Sequence, residues 1–137
     1  FLIFAATASV DTNRSIARLA KEKSILANVA DSPADCDFIV PALVKRGHLT
    51  ISIATEGLAP VLSSRIRKDL ERFFGPEYVR YTRLIGGVRC AIVRNQRLTG
   101  KQKRKALQSL PSLPLRERLA LGENISPRDV LKKLGIR

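Results

Sequence analysis

The sequence predicts an α/β chain: one strand–helix–strand unit with parallel pairing, then a half-exposed strand, then an all-helical remainder. Three observations predict it. FLIFAAT (residues 1–7) and ILANV (25–29) are short apolar runs that bracket a stretch with apolar residues at helical spacing. Two strands joined through a helix run parallel, with a right-handed crossover. LTISIAT (49–55) alternates β-branched and small residues with the period of a sheet face. From residue 60 onward apolar residues recur at helical spacing between Gly and Pro breaks.

FLIFAAT is a continuous apolar run closing on the small polar Thr7, as a buried parallel strand does. Asp11 or Thr12 is placed to cap a helix running to about Lys23, with Ile16, Leu19 and Ala20 as its apolar stripe. Ser24 leads into ILANV, the second strand. Residues 36–44 form a short apolar segment leading to a turn at Lys45-Arg46-Gly47-His48. After LTISIAT, Glu56-Gly57 breaks the strand. Pro60 suits the first turn of a helix, whose apolar face is Val61, Leu62, Ile66, Leu70 and Phe73 and whose stop is Gly75-Pro76. Beyond Glu77 everything is expected to be helical, with an interruption at Gly86-Gly87. Gly100, Pro111, Pro114, Gly122 and Pro127 then separate three short helices. The last has Ser126 as cap, Pro127 at its first position and Gly135 as stop.

Composition narrows the class. At 137 residues with 45% hydrophobic content there is core for one domain or two small subdomains, and 5% aromatics make that core aliphatic. No apolar run nears the roughly 18 residues of a membrane span. FLIFAATASV has no basic flank before it, so it does not read as a signal peptide. The chain contains no Met and opens inside an apparent strand, so its N-terminus is expected to be truncated. Cys36 and Cys90 lie far apart in unlike contexts and read as unreactive thiols of a reduced, cytoplasmic protein. One His and no CxxC leave zinc without a ligand set; His48, beside Gly47, reads as a turn residue.

The net charge of +13 is unevenly spread. Residues 89–137 hold 13 Lys/Arg against Glu117, Glu123 and Asp129, whereas residues 1–88 are close to balance. A basic surface attracts nucleic acid, anionic lipid or a polyanionic small molecule, and charge alone does not choose. TGKQKRKALQ (99–108) is the densest cluster and reads as a solvated helix start. Nucleic-acid binding normally interleaves aromatics for stacking, and none follows Tyr81. A basic nucleic-acid-binding module is therefore the weaker alternative.

The densest acidic cluster, Asp31, Asp35 and Asp37 in ILANVADSPADCDFIVP (25–41), follows directly on the second strand. Asp31 stands just past the strand end. In a doubly wound sheet that end faces the ligand crevice, and Thr7 ends the neighbouring strand on the same side. Asp-Ser-Pro is also ordinary turn chemistry.

AATASVDTNRSIARLAKEKSILANVADSPADCDFIVPALVKRGHLTISIATEGLAPVLSSRIRKDLE resembles the siroheme synthase N-terminal module, a family of precorrin-2 dehydrogenases, some of them also sirohydrochlorin ferrochelatases. The shared features run in order: the AAT strand end, Asn13 before a basic residue, Asn28-Val29 before Asp31, Phe38-Ile39 before Pro41, the LTISIAT strand, Thr55-Glu56-Gly57, Pro60, and the Leu62–Leu70 helix. The match covers about residues 2–74; residues 75–137 fit the family's helical part loosely.

The resemblance implies a partial Rossmann-like parallel sheet followed by a dimerisation strand and an all-helical C-terminal domain. The implied divisions are residues 1–44, the C-terminal part of an NAD-binding domain; 45–59, the dimerisation segment; and 60–137, a basic helical domain. It implies NAD-dependent oxidation of the tetrapyrrole precorrin-2 to sirohydrochlorin, with ferrous iron a further substrate in bifunctional members, no resident metal, and a homodimer. Asp31 matches the family's acid/base aspartate. Thr7 and Asn28 are assigned to the nicotinamide side, and Thr55, Gly57 and Arg65 to the tetrapyrrole side. Two departures stand out. The family's glycine-rich pyrophosphate loop is absent, and Glu56 replaces the first glycine of a Ser/Thr-Gly-Gly turn. A third reading is a non-catalytic dimer remnant of the same fold.

Overall fold

The structure, a computed structural model, describes residues 1–30 and 32–136. The chain forms two compact units, Phe1–Leu43 with Ser52–Lys68 and Val44–Ile51 with Asp69–Arg137.

In the first unit β1 (Leu2–Ala5) pairs in parallel with β2 (Leu26–Val29), Leu2 opposite Leu26 and Ala5 opposite Val29. The Ala30 N–H donates to the Ala5 carbonyl at 2.8 Å and carries the ladder one residue further. The crossover is α1 (Val10–Glu22). Its cap is Ser9, not Asp11 or Thr12: Ser9 is extended at φ −105°, and its hydroxyl accepts the Thr12 N–H. Starting there leaves Asp11 in the first turn, where a carboxylate favours the helix dipole, and brings Asn13 into reach of the β1 exit.

The expectation of a buried first strand is only partly met. Ala5 is buried, but Leu2 and Phe4 are more than half exposed. A two-stranded sheet has few neighbours, and alternation sends Leu2 and Phe4 to the face opposite Ala5. Phe4 meets the Phe38 ring edge-on, centroids 5.5 Å apart.

Residues 42–53 form a hairpin rather than a turn followed by one strand. β3 (Ala42–Arg46) and β4 (Leu49–Ile53) are joined by Gly47 and His48, a two-residue connection that only antiparallel strands allow. Gly47 has φ +61°, as a type II′ loop requires at its first position. Lys45 and Arg46, expected in the turn, are strand residues. Two consecutive cations hide the alternation, of which Val44 is the buried member. Within the second unit the Arg46 guanidinium donates to the Phe74 carbonyl at 2.8 Å and the Glu71 carbonyl at 3.1 Å. These are carbonyls at the end of α2 (Pro60–Phe73), which the helix itself leaves unpaired.

Between β4 and α2, Thr55–Leu58 is a tight turn closed by the Leu58 N–H on the Thr55 carbonyl at 2.8 Å. Its central residues, Glu56 at φ +51° and Gly57 at φ +79°, are both left-handed. That is the signature of a type I′ turn, which favours glycine at both places.

The second unit adds α3 (Glu77–Arg94), α4 (Gly100–Ser109), α5 (Leu115–Ala120) and α6 (Pro127–Lys133). Leu84, Val88 and Ile92, four residues apart on one face of α3, are buried with Leu110, Leu115, Leu119 and Val130. The expected break at Gly86-Gly87 does not occur, because α3 runs through both. A Cβ on Gly87 would lie 3.2 Å from Pro127 Cγ, so this glycine lets α6 approach; a Cβ on Gly86 would meet nothing within 4 Å. The start of α6 is as expected, with Ser126 and Asp129 forming a capping box and Gly135 at φ +69° beyond the end. The lysine-rich α4 is likewise capped by Thr99 and Gln102. Among the described residues no helix is long and apolar enough to cross a membrane.

Two stability measurements check this packing. Glu56→Gly relieves a left-handed non-glycine residue at the cost of extra unfolded-chain entropy, for an expected net gain of about 0.5–1 kcal/mol in thermal unfolding. Gly86→Ala, in open space inside a helix, is expected to stabilise by about 0.5–1 kcal/mol. Gly87→Ala is expected to forfeit that gain against Pro127. Equal shifts for the two alanines would mean that α6 is not held close at Gly87.

Candidate functional site at the strand exits

The site assembles where both parallel strands end. β1 exits through Ala6–Ala8, and this exit is held by Asn13, which is only 6% exposed. Its side-chain oxygen accepts the Thr7 N–H at 2.9 Å and the Thr7 hydroxyl at 2.7 Å, while its amide donates to the Thr7 carbonyl at 3.1 Å. Asn13 thus occupies both backbone groups and the hydroxyl of one exposed loop residue. The Thr7 oxygen also accepts the Ser9 N–H at 3.3 Å. The single Thr7 hydroxyl proton has two acceptors in reach, Asn13 Oδ1 and the Ser9 carbonyl at 3.1 Å, so toward any further group this exposed hydroxyl offers acceptor character.

β2 exits at Ala30, and the chain returns along the outer edge of the same strand. The Asp37 N–H donates to the Ala27 carbonyl at 2.8 Å, and the Asp37 carboxylate accepts the Ala27 N–H at 2.9 Å. Asn28 donates to the Phe38 carbonyl at 2.9 Å. The Cys36 sulfur lies 3.1 Å from the Val29 nitrogen and 3.3 Å from the carbonyls of Val29 and Ser32. Pro33–Asp35 is a single 3₁₀ turn inside this return. The Asp35 carboxylate accepts the Ser32 hydroxyl at 2.5 Å and stands 3.8 Å from the Arg14 guanidinium.

The third wall is the Thr55–Leu58 turn. A Cβ on Gly57 would lie 3.2 Å from Ile39 Cδ1 and 3.8 Å from Pro33 Cβ, so the turn lies directly against the return loop. The Thr55 hydroxyl accepts the Ala59 N–H at 3.3 Å, which holds the turn to the start of α2.

Of the residues singled out in the sequence, Asp31 lies outside the described residues, though Ala30 and Ser32 on either side are described. Thr7 stands on the β1 exit, and Asn28 occupies the last turn of pleat in β2 with its amide drawn to the return loop. Thr55 and Gly57 form the turn beside Pro33. Arg65 is an exposed residue of α2. Three residues absent from the sequence-based set organise the site: Asn13, Cys36 and Asp37. Asn13 had a usable signal, a polar residue at the fourth position of an amphipathic helix where the inward face begins. Cys36 and Asp37 had none beyond their place in an acidic cluster.

The residues present suit the nicotinamide end of a dinucleotide, with Thr7 and Asn28 as polar groups at the carboxyl ends of parallel strands. A pyrophosphate seat needs a glycine-rich turn at a helix start, and the loop into α1 has no glycine, the first in the chain being Gly47.

Comparison with known proteins agrees with this geometry. Residues 1–42 match a family model described as "Putative NAD(P)-binding", and residues 46–72 match "Sirohaem biosynthesis protein central". The siroheme synthase of Thioalkalivibrio sulfidiphilus is 31% identical over 133 residues, covering 96% of this chain and 27% of that protein. The siroheme synthase of Gluconobacter oxydans is 46% identical over 70 residues, covering 51% of this chain and 15% of that one. A solved structure named "SirC, precorrin-2 dehydrogenase" superposes with a TM-score of 0.76 at 26% identity, covering 98% of this chain and 63% of its own. The chain therefore spans 27% or less of these two curated relatives, and with an NAD(P)-binding segment, a central segment and the matching fold in one order, it belongs to the siroheme synthase family.

Proposed function

We propose that this chain forms the substrate-handling part of an NAD-dependent precorrin-2 dehydrogenase, with Asp31 as the acid/base group. The observation that carries this reading is the packing of Gly57 on Pro33 and Ile39, which brings a polar turn against the loop in which Asp31 occurs. Converting precorrin-2 to sirohydrochlorin removes a hydride and a proton. NAD, when bound, supplies the hydride acceptor, and the products balance as sirohydrochlorin, NADH and H⁺. A carboxylate at the crevice accepts the proton as the hydride departs. Thr7, its hydroxyl proton taken up by Asn13 or the Ser9 carbonyl, offers an acceptor to a carboxamide N–H on the nicotinamide side. Asn28 lines the same side.

The substrate carries acetate and propionate groups, and the chain's positive charge attracts them. Arg65 is assigned to one such carboxylate, with Thr55 and Gly57 against the macrocycle. Where iron insertion follows, ferrous iron is a substrate and the same base accepts pyrrole protons that the metal displaces. A second copy of the chain is expected to pair at the β3–β4 hairpin, where Leu43 is half exposed. Cys36 and Cys90 are both free thiols, in keeping with work in a reducing cytoplasm.

The test uses the full-length gene product, with and without Asp31→Ala, supplied anaerobically with precorrin-2 and NAD. Asp31→Ala is expected to lower the rate of NADH formation by about 10²–10⁴-fold, the usual worth of a positioned general base. Undiminished turnover would return Asp31 to the role of a turn residue. No turnover in either protein, with salt-dependent binding to nucleic acid instead, would favour the basic-module alternative.

A further inference from the structure

The three described residues around position 31 are each tied to a fixed partner, and two of those ties come from one short segment. Ala30 is bonded to Ala5 at the end of β1. Val29 and Ser32, which bracket Ala30 and residue 31, both reach the Cys36 sulfur: Val29 donates its N–H to it, and the one thiol proton has the carbonyls of Val29 and Ser32 each at 3.3 Å to choose between. Cys36 is in turn fixed by Asp37, whose backbone N–H and carboxylate occupy both backbone groups of Ala27. Ala27 is 1% exposed, so its N–H has no water to fall back on if the carboxylate is removed. One further bond, from Asn28 to the Phe38 carbonyl, closes the same edge. The loop is thereby closed at its base.

Covering a bare strand edge would be sufficient reason for Asp37 alone. It does not explain why the next residue inward places a thiol between the two ends of the segment holding residue 31. We propose that the Cys36-Asp37 pair is a positioning device for the acid/base step, which holds Val29 and Ser32, the described residues that flank Ala30 and position 31. The inference rests on the reading of Asp31 as the acid/base group. Neither Cys36 nor Asp37 is assigned contact with substrate. A proton acceptor must be held within a fraction of an ångström of its productive place, and a displacement near 1 Å is enough to cost about 10²-fold.

The experiment compares Asp37→Ala and Asp37→Asn in the full-length gene product, each in the native and the Asp31→Ala background. Steady-state rates with precorrin-2 and NAD are measured beside hydrogen exchange of the Ala30 and Ser32 amides. Asp37→Ala is expected to lower kcat about 10–100-fold while KM for both substrates stays within about twofold. Asn keeps a carbonyl oxygen for the Ala27 N–H, so Asp37→Asn is expected to recover most of the loss. In the Asp31→Ala background Asp37→Ala is expected to cost nothing further, since it acts through that group. Exchange at Ala30 and Ser32 is expected to quicken at least about tenfold in Asp37→Ala. A loss of the same size in both backgrounds, or a loss that Asn does not rescue, would overturn the inference and leave Asp37 as edge cover. Unchanged exchange would overturn it whatever the rates. Full activity in Asp31→Ala alone would overturn the acid/base assignment and the inference with it, while leaving the exchange result as a separate statement about the loop.

Discussion

The parallel pairing of β1 with β2 is the constraint on which the first unit depends. Two strands make a narrow sheet, and parallel strands are ordinarily buried on both faces and flanked on both edges. Here one face meets α1 through small residues, Ala5, Ala20 and Ala27, which let helix and sheet approach. The outer edge of β2 has no third strand among the described residues. Its backbone groups are taken instead by a returning segment in which side chains do part of the work of a strand: the Asp37 carboxylate stands in for a carbonyl, and the Asn28 amide for an N–H. A local acid is well suited to this. A carboxylate accepts without donating, and a charged residue at an edge also discourages pairing with a foreign strand.

The same constraint explains the acidic run after an apolar strand in so basic a chain. Asp37 closes the edge and Asp35 joins Ser32 to Arg14, so two of the three acids have structural partners near the strand exit. The third, Asp31, belongs to a stretch whose described neighbours are all held. Under the proposed function, structure and reactivity are not competing explanations of the cluster, because different members would carry them.

Element order was largely legible because periodicity and punctuation agreed. The parallel unit, α2 behind Pro60 and the capped α6 could each be found from apolar spacing with a turn or cap residue beside it. Where the sequence misled, a long-range partner decided the outcome. Lys45 and Arg46 look like turn residues until the carbonyls of Glu71 and Phe74 are seen to need a donor. Gly86-Gly87 looks like a break until Pro127 is found against Gly87. Ser9 outcompetes Asp11 and Thr12 as cap because starting there turns Asn13 toward Thr7. Of the candidate site, Thr7 was legible as a strand end, while Asn28, Thr55 and Gly57 were singled out through the family resemblance. Asn13, Cys36 and Asp37 act through hydrogen bonds to backbone six to ten residues away; Asn13 alone left a local trace, a polar residue where the inward face of α1 begins, and no local pattern encodes the other two.

The charge of the helical unit follows a similar division of labour. All three acids of residues 89–137 are engaged locally. Glu123 lies under the Arg118 guanidinium, whose hydrogen bonds hold its carboxyl below the ordinary range. Glu117 is lowered first by a hydrogen bond from its own backbone N–H and then by Arg116. Asp129 is lowered by the Ser126 hydroxyl and N–H within the capping box. Lys103 is also employed, donating to the Val93 carbonyl near the end of α3 at 2.7 Å. Exposed pairs of this kind contribute little to stability. Their consequence is electrostatic: with every local acid already matched, the surplus cations carry an uncompensated field, and such a field raises the encounter rate of a polyanion without selecting which one. Under the proposed function, selection comes from the nearly charge-balanced surfaces, the Thr55–Leu58 turn and the strand exits, where shape and hydrogen-bond direction discriminate. That is why a basic helical unit and a nearly neutral site-bearing unit suit one chain whose proposed substrate is both flat and many times carboxylated.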